Sequence, residues 1–281
     1  MSNGPPIRIT IVLLFVAATS AAWADTVTLA ASADNTLFES ASGALSNGSG
    51  DGLFVGNTNN GQTRRALLAF DIAGNLPSGS TINSVSLTLQ MSRTNSGAQT
   101  VELRRVSADW GEGSSDASGG GGQGTDAAEG DATWIHTFFD MTHWQNAGGD
   151  FADTASASTS VDGAGSYTWG SSAAMVADLQ AWLDDASTNF GWILIGNEAA
   201  SPTTKRFDAR EHATAANRPM LTIDFTPPSS DGPQDTNTGT ADDATPSSSL
   251  CSVGATPMML LTLAMLAGAG RRRANATRGV Q

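Results

Sequence analysis

The chain has 281 residues, with 14 Lys+Arg against 27 Asp+Glu and a formal net charge of −13 at pH 7. So acidic a surface disfavours nucleic acid and anionic membranes as partners, and a single cysteine, Cys251, excludes an intrachain disulfide. Within 25–226 there are 23 acidic and 9 basic residues, a net charge of −14 on a length that suits one domain with a sizeable core.

At the N-terminus, Arg8 precedes the apolar run Ile9 to Ala18, and Ala22-Trp23-Ala24 has the A-x-A form of a leader cleavage site. The expectation is a leader at 1–24 processed after Ala24, then a folded domain at 25–226. Thr26 to Ala31 alternates, with Val27 and Leu29 on one face, and Leu53-Phe54-Val55 is a short apolar strand after a Gly/Asn/Ser loop. Arg65 to Asp71 is apolar on both faces, which marks a central strand. Ser84 to Ser92 puts Val85, Leu87, Leu89 and Met91 on one face and polar residues on the other. Thr100 to Val106 follows the turn signal Asn95-Ser96-Gly97, so these two strands are expected to form a hairpin. Gly111 to Gly130 is Gly-rich and nearly free of apolar residues, with Trp110 and Trp134 near its ends; a loop of that length is functional or disordered.

Ser171 to Ala186 carries Met175, Val176, Leu179, Trp182 and Leu183 at helical spacing, with Ser171 or Ser172 placed to cap it. This predicts one amphipathic helix, about 171–186, packed on the strands with Trp182 in the core. Trp192 to Gly196, Lys205 to Arg210 and Pro219 to Thr226 complete the strands. Many short strands divided by turn residues predict an all-β fold, an antiparallel jelly-roll-like β-sandwich. Segment 227–250 is rich in Pro, Ser, Thr, Asp and Gly and is expected to be a disordered linker. In the tail, 251–281, Cys251 precedes the uncharged run Val253 to Gly270, which ends at Arg271, Arg272 and Arg273. At about 1.5 Å per residue that run nearly crosses a ~30 Å hydrocarbon core, with the arginines favouring the cytoplasmic side.

The candidate chemistry is sparse. His136 and His143 lie near Asp140, where a His–Asp pair could serve as base and orienter, but no serine-elbow motif, cysteine nucleophile or HExxH accompanies them. Among so many acidic residues no glycosidase pair can be singled out, and an enzyme is not expected. The turn Asn47 to Gly52 is rich in oxygen donors. Asp34, Asn47 and Asp51, with Asn35 and Asn57 near, could hold a structural Ca²⁺ if their loops converge; otherwise the segment is an ordinary turn whose Gly and Asn permit positive φ. Trp110, Trp134, Trp144 and Trp169 lie in or beside polar segments. Trp110 and Trp144 are the best placed for exposure and for stacking on a pyranose, although most tryptophans are buried. Arg64-Arg65, Arg104-Arg105, Lys205-Arg206 and Arg210 hold most of the positive charge. Arg104 and Arg206 are candidates for an acidic polysaccharide, whereas a buried pair of Arg210 with Asp208 or Glu211 is the structural alternative.

Two resemblances extend this. The tail resembles the C-terminal sorting signals of Gram-negative bacteria, nearest the MYXO-CTERM type, which implies a sorting protease acting near Cys251 and attachment at the surface or release from it. A plain single-span anchor is the other possibility. The strings A-D-N-T-L-F-E (33–39), S-N-G-S-G-D-G-L-F-V-G (46–56), R-R-A-L-L-A-F-D-I (64–72), S-V-S-L-T-L-Q-M (84–91), W-G-E-G (110–113), A-T-W (132–134), G-S-Y-T-W (165–169), G-W-I-L-I-G-N-E (191–198), K-R-F-D-A-R-E (205–211) and R-P-M-L-T-I-D-F (218–225) resemble, in this order, the DNRLRE-domain proteins of bacterial surfaces. These are related to carbohydrate-binding modules that include alginate binders. The resemblance implies a jelly-roll-like β-sandwich without catalytic activity; together with the leader and tail, the expectation is a monomer exported to the cell envelope or beyond that binds extracellular or cell-wall polysaccharide. A structural or adhesive surface protein, with the sandwich as spacer or protein-contact module, is the alternative.

Overall fold

The computed structural model describes residues 23–229. The leader up to Ala22, the linker beyond Ser229 and the tail with Cys251 lie outside the described residues. Among the described residues no helix is long and apolar enough to cross a membrane.

The strands, in chain order, are β1 (Asp25–Ala30), β2 (Ala33–Phe38), β3 (Leu45–Ser46), β4 (Gly52–Asn57), β5 (Thr63–Ala69), β6 (Thr81–Thr94), β7 (Gln99–Arg105), β8 (Thr125–Asp126), β9 (His136–Phe138), β10 (Thr142–His143), β11 (Ala157–Val161), β12 (Gly165–Trp169), β13 (Trp192–Ile195), β14 (Lys205–Asp208) and β15 (Met220–Thr226). Among the described residues there is one α-helix, α1 (Ala173–Asp184), between β12 and β13. The pairing is antiparallel throughout and makes the expected sandwich. One layer runs β1-β15-β6-β14-β4, with β12 on the free edge of β6; the other runs β4-β5-β13-β7-β11, with β2 on β5. Strand β4 belongs to both, because Gly52 to Val55 pair with β14 while Gly56 and Asn57 turn to pair with β5.

The sequence pattern explains the layering. Alternate residues of β6 (Val85, Leu87, Leu89, Met91) face Leu68 of β5 and Trp192 and Leu194 of β13 in one buried cluster. The intervening residues, Leu67 of β5 and Ile193 of β13, join Leu37, Val106, Trp110, Ala132 and Trp144 in a second cluster on the opposite side of the same sheet. Strands β5 and β13 are therefore apolar on both faces because both faces are covered, the outer one by the excursion between β7 and β11. Each large apolar side chain removed from water in this way contributes about 1.5–3 kcal/mol.

The helix forms as its spacing predicts. Ser172 caps it, its Oγ accepting the Met175 N–H at 3.0 Å, and Met175, Leu179, Trp182 and Leu183 are buried. Asp178, also buried, accepts the Trp192 indole N–H at 2.8 Å and so fastens the helix to β13.

The β6–β7 hairpin does not form. Strand β6 pairs with β14, β15 and β12, and β7 pairs with β13 and β11, so the turn at Asn95 to Gly97 crosses between the layers. The turn after β11 crosses back to β12. Lys205, the only lysine, ties these two crossings together: its buried ammonium donates to the carbonyls of Ser96, Gly97 and Asp162 at 3.1, 2.7 and 2.9 Å. Burial draws its pKa below the usual lysine value, against the nearby charge of Asp162.

Candidate functional site

A groove of about 610 Å³ opens where the β4–β5 turn, the end of β6, strand β14 and loop 116–125 meet. That volume lies within the range of roughly 300–1,000 Å³ usual for ligand sites. Its floor is Phe54 on β4, almost fully buried, with the backbone of Gly121 and Gly122 laid against the ring. Gly121 has φ +71°, and a Cβ there would stand 3.3 Å from the Phe54 ring. Only glycine combines that backbone with that closeness.

The loop rests on bonds from below. Asn47 Oδ1 accepts the Ala117 N–H at 2.8 Å, and Ser49 N–H donates to the Ser115 carbonyl at 2.8 Å. Arg64 is buried beneath it, its Nε donating to the Gly122 carbonyl at 3.4 Å while its guanidinium lies 4.8 Å from the Phe38 ring centre. Burial pushes Arg64 down to about 10, against the charge of Glu39. Asp131 accepts the Ala128 and Ser115 N–H groups at the base of the loop, and burial raises its pKa despite them. The Gly-rich stretch is thus a braced wall of the groove.

The rim is polar. Asn59, Asn60, Gln62 and Asn95 are exposed, and Asn95 Nδ2 donates to Asn59 Oδ1 at 3.0 Å. Arg93 is exposed over Gly120 and, among the described residues, has no carboxylate partner. Arg206 lines the groove too but is already neutralised, with ion pairs to Asp208 at 2.9 Å and Asp51 at 2.7 Å and a hydrogen bond to Ser92 Oγ at 2.6 Å. The arrangement can offer amides, hydroxyls and one free cation to a ligand rich in hydroxyl groups.

Of the individual ligand and metal candidates only Arg206 lines this groove, whereas the Gly-rich stretch expected to be functional or disordered supplies its wall. Trp110 and Trp144 are buried, contrary to the expected exposure. Their loops roof the outer face of the β5–β13 sheet, and each indole N–H is used internally, Trp110 to the Phe190 carbonyl at 2.8 Å and Trp144 to the Thr133 carbonyl at 2.9 Å. Trp134 is half-buried beneath Arg65, which also forms a two-pronged pair with Glu198. Arg104 lies on β7, paired with Glu102 at 2.7 Å. Of the set expected with Asp34, Asn47 is engaged with Gly52 and Ala117, and Asp51 pairs with Arg206. Arg210 does pair with Glu211, at 2.6 Å, but the pair is half-buried rather than buried, its two-pronged partner is Glu112, and Asp208 pairs with Arg206. His136 stacks on His143 at 4.5 Å and turns its Nδ1 to Thr133 and Gly43 rather than to Asp140. The groove residues Arg93, Asn59 and Gln62 gave no sequence signal, because an unpaired arginine and turn amides look the same wherever they fall.

Fold and groove together describe a β-sandwich with an open groove whose rim is polar. Residues 25–115 match the family model of carbohydrate-binding module family 96. The match runs from β1 past β7 and takes in Phe54, Asn59, Gln62, Arg93 and Asn95 of the groove. No curated protein matches the chain.

Proposed function

We infer that this protein binds polysaccharide without cleaving it, in the groove between the β4–β5 turn and loop 116–125. One observation carries the inference: the groove takes its floor, Phe54, and the rim residues Asn59, Gln62, Arg93 and Asn95 from the segment that matches a carbohydrate-binding family. A match to a binding-module family accords with a non-catalytic role. Sugars would be held by amide and hydroxyl hydrogen bonds rather than on an aromatic platform. The free guanidinium of Arg93 suits a carboxylate-bearing sugar unit. Export, anchoring through 251–281 and cleavage near Cys251 by a sorting protease complete the proposal and rest on the sequence alone.

One observation favours the alternative of a structural or adhesive surface module: among the described residues, every tryptophan from Trp110 onward is buried or half-buried, so none of these presents a fully exposed ring for stacking. A glycan array with the purified chain separates the two. Specific capture of a glycan, weakened about tenfold or more in Arg93→Ala, is expected from the loss of one charge-assisted hydrogen bond of about 1.5–3 kcal/mol. A folded chain that captures no glycan would turn the assignment to the adhesive module.

A further inference from the structure

Away from the groove floor lies an acidic cluster that the hydrogen-bond network leaves incomplete. Asp34 on β2, Glu112 in the loop after Trp110 and Glu211 just past β14 each bring a carboxylate oxygen within 4.8 Å of the others. One residue, Arg210, answers all three, two through its guanidinium and Asp34 through its backbone N–H. Arg210 donates through Nε and a terminal nitrogen to Glu112 at 3.0 and 2.7 Å, and the same nitrogen reaches Glu211 Oε1 at 2.6 Å. Its backbone N–H donates to Asp34 Oδ2 at 2.7 Å. Burial opposes the charge on Arg210, but Glu112, with Glu211 and Asp34, holds its pKa above the usual value.

The balance still fails. Three carboxylates face one guanidinium, and Arg218 is turned to the His212 carbonyl at 2.8 Å. Two oxygens, Asp34 Oδ1 and Glu211 Oε2, are buried and accept no hydrogen bond. Asp34 is wholly buried, at 0% exposure. A desolvated carboxylate oxygen without a donor is costly enough that something must answer it.

We propose that Asp34, Glu112 and Glu211 form a Ca²⁺ site that joins β2, the loop leading into the groove wall and the segment after β14. The donors are all oxygen, with no His or Cys among them, which suits a hard cation. Oxygens up to about 5 Å apart can share one Ca²⁺, whose bonds are about 2.3–2.6 Å long, and waters complete its shell. Glu211 also lines a recess of about 340 Å³ with Ser49, Asp51 and residues 116–119, which gives the ion a path from solvent. The site differs from the turn expected in the sequence: Asp34 is its only member in common with Asp34, Asn47 and Asp51.

The test uses the full chain, stripped with chelator and titrated with CaCl₂ by calorimetry and by thermal unfolding. One Ca²⁺ is taken up per chain, and Tm rises by several degrees at a concentration on the order of 1 mM, because the ion binds only the folded state. Glu211→Gln keeps an oxygen for Arg210, so it unfolds near the stripped wild type but binds Ca²⁺ at least about tenfold more weakly. Absence of heat and of any Tm shift overturns the proposal and points to carboxyls that share a proton. Calcium binding of undiminished strength in Glu211→Gln overturns it as well, since the ion would sit elsewhere. Should that variant not fold, Tb³⁺ luminescence of the wild type, sensitised by Trp110 and displaced by Ca²⁺, is expected; no such emission counts against the site. None of these readouts involves a glycan.

Discussion

Arg93 and Arg206 share one groove yet differ in what holds them. Arg206 is locked between Asp51 and Asp208, and Asp208 is 1% exposed. Arg206→Ala would leave that carboxylate buried without its partner, so a loss of about 3–5 kcal/mol is expected in urea unfolding. Arg93 has no such tie, and Arg93→Ala should leave stability within about 0.5 kcal/mol while weakening glycan binding. The sequence shows two arginines on strands and cannot say which is spent internally. The same blindness applies to Trp110 and Trp144, which sit among polar neighbours in the chain but under a roof in space. Trp110→Ala should cost about 3–5 kcal/mol in stability, read by the same unfolding curves, with no specific effect on a glycan.

Elements carried by periodicity were legible: the alternation in β6, the two-faced apolar run of β5, and the helical spacing and Ser172 cap of α1. Partner choice was not. Asn95-Ser96-Gly97 has the chemistry of a hairpin turn, but both edges of β6 are taken by strands from later in the chain, so the turn crosses the sandwich instead. No local signal distinguishes a hairpin from such a crossing. What fixes the crossing is Lys205, from much later in the sequence. Lys205→Met removes three hydrogen bonds and takes the ammonium donor from the carbonyls of Gly97 and Asp162, while the Ser96 carbonyl keeps the Thr94 hydroxyl. A loss of at least about 2 kcal/mol is expected on denaturant unfolding. A loss below about 0.5 kcal/mol would show that the crossings hold without it.

At the scale of the whole molecule, one sheet buried on both faces supports two cores, and the groove lies where strand β4 passes from one layer to the other. The net charge of −14 over 25–226 repels polyanions in general. An acidic sugar chain would therefore bind only in register with Arg93, and less tightly as salt is raised. The measurement that tests this most directly is hydrogen exchange of the full chain with and without saturating glycan, taking the strongest ligand from the array. Protection concentrated in 58–62, 93–95 and 116–124 is the predicted result. Protection confined to the opposite sheet around Arg104, or a bound glycan with no change in these three segments, would contradict the assignment of the groove.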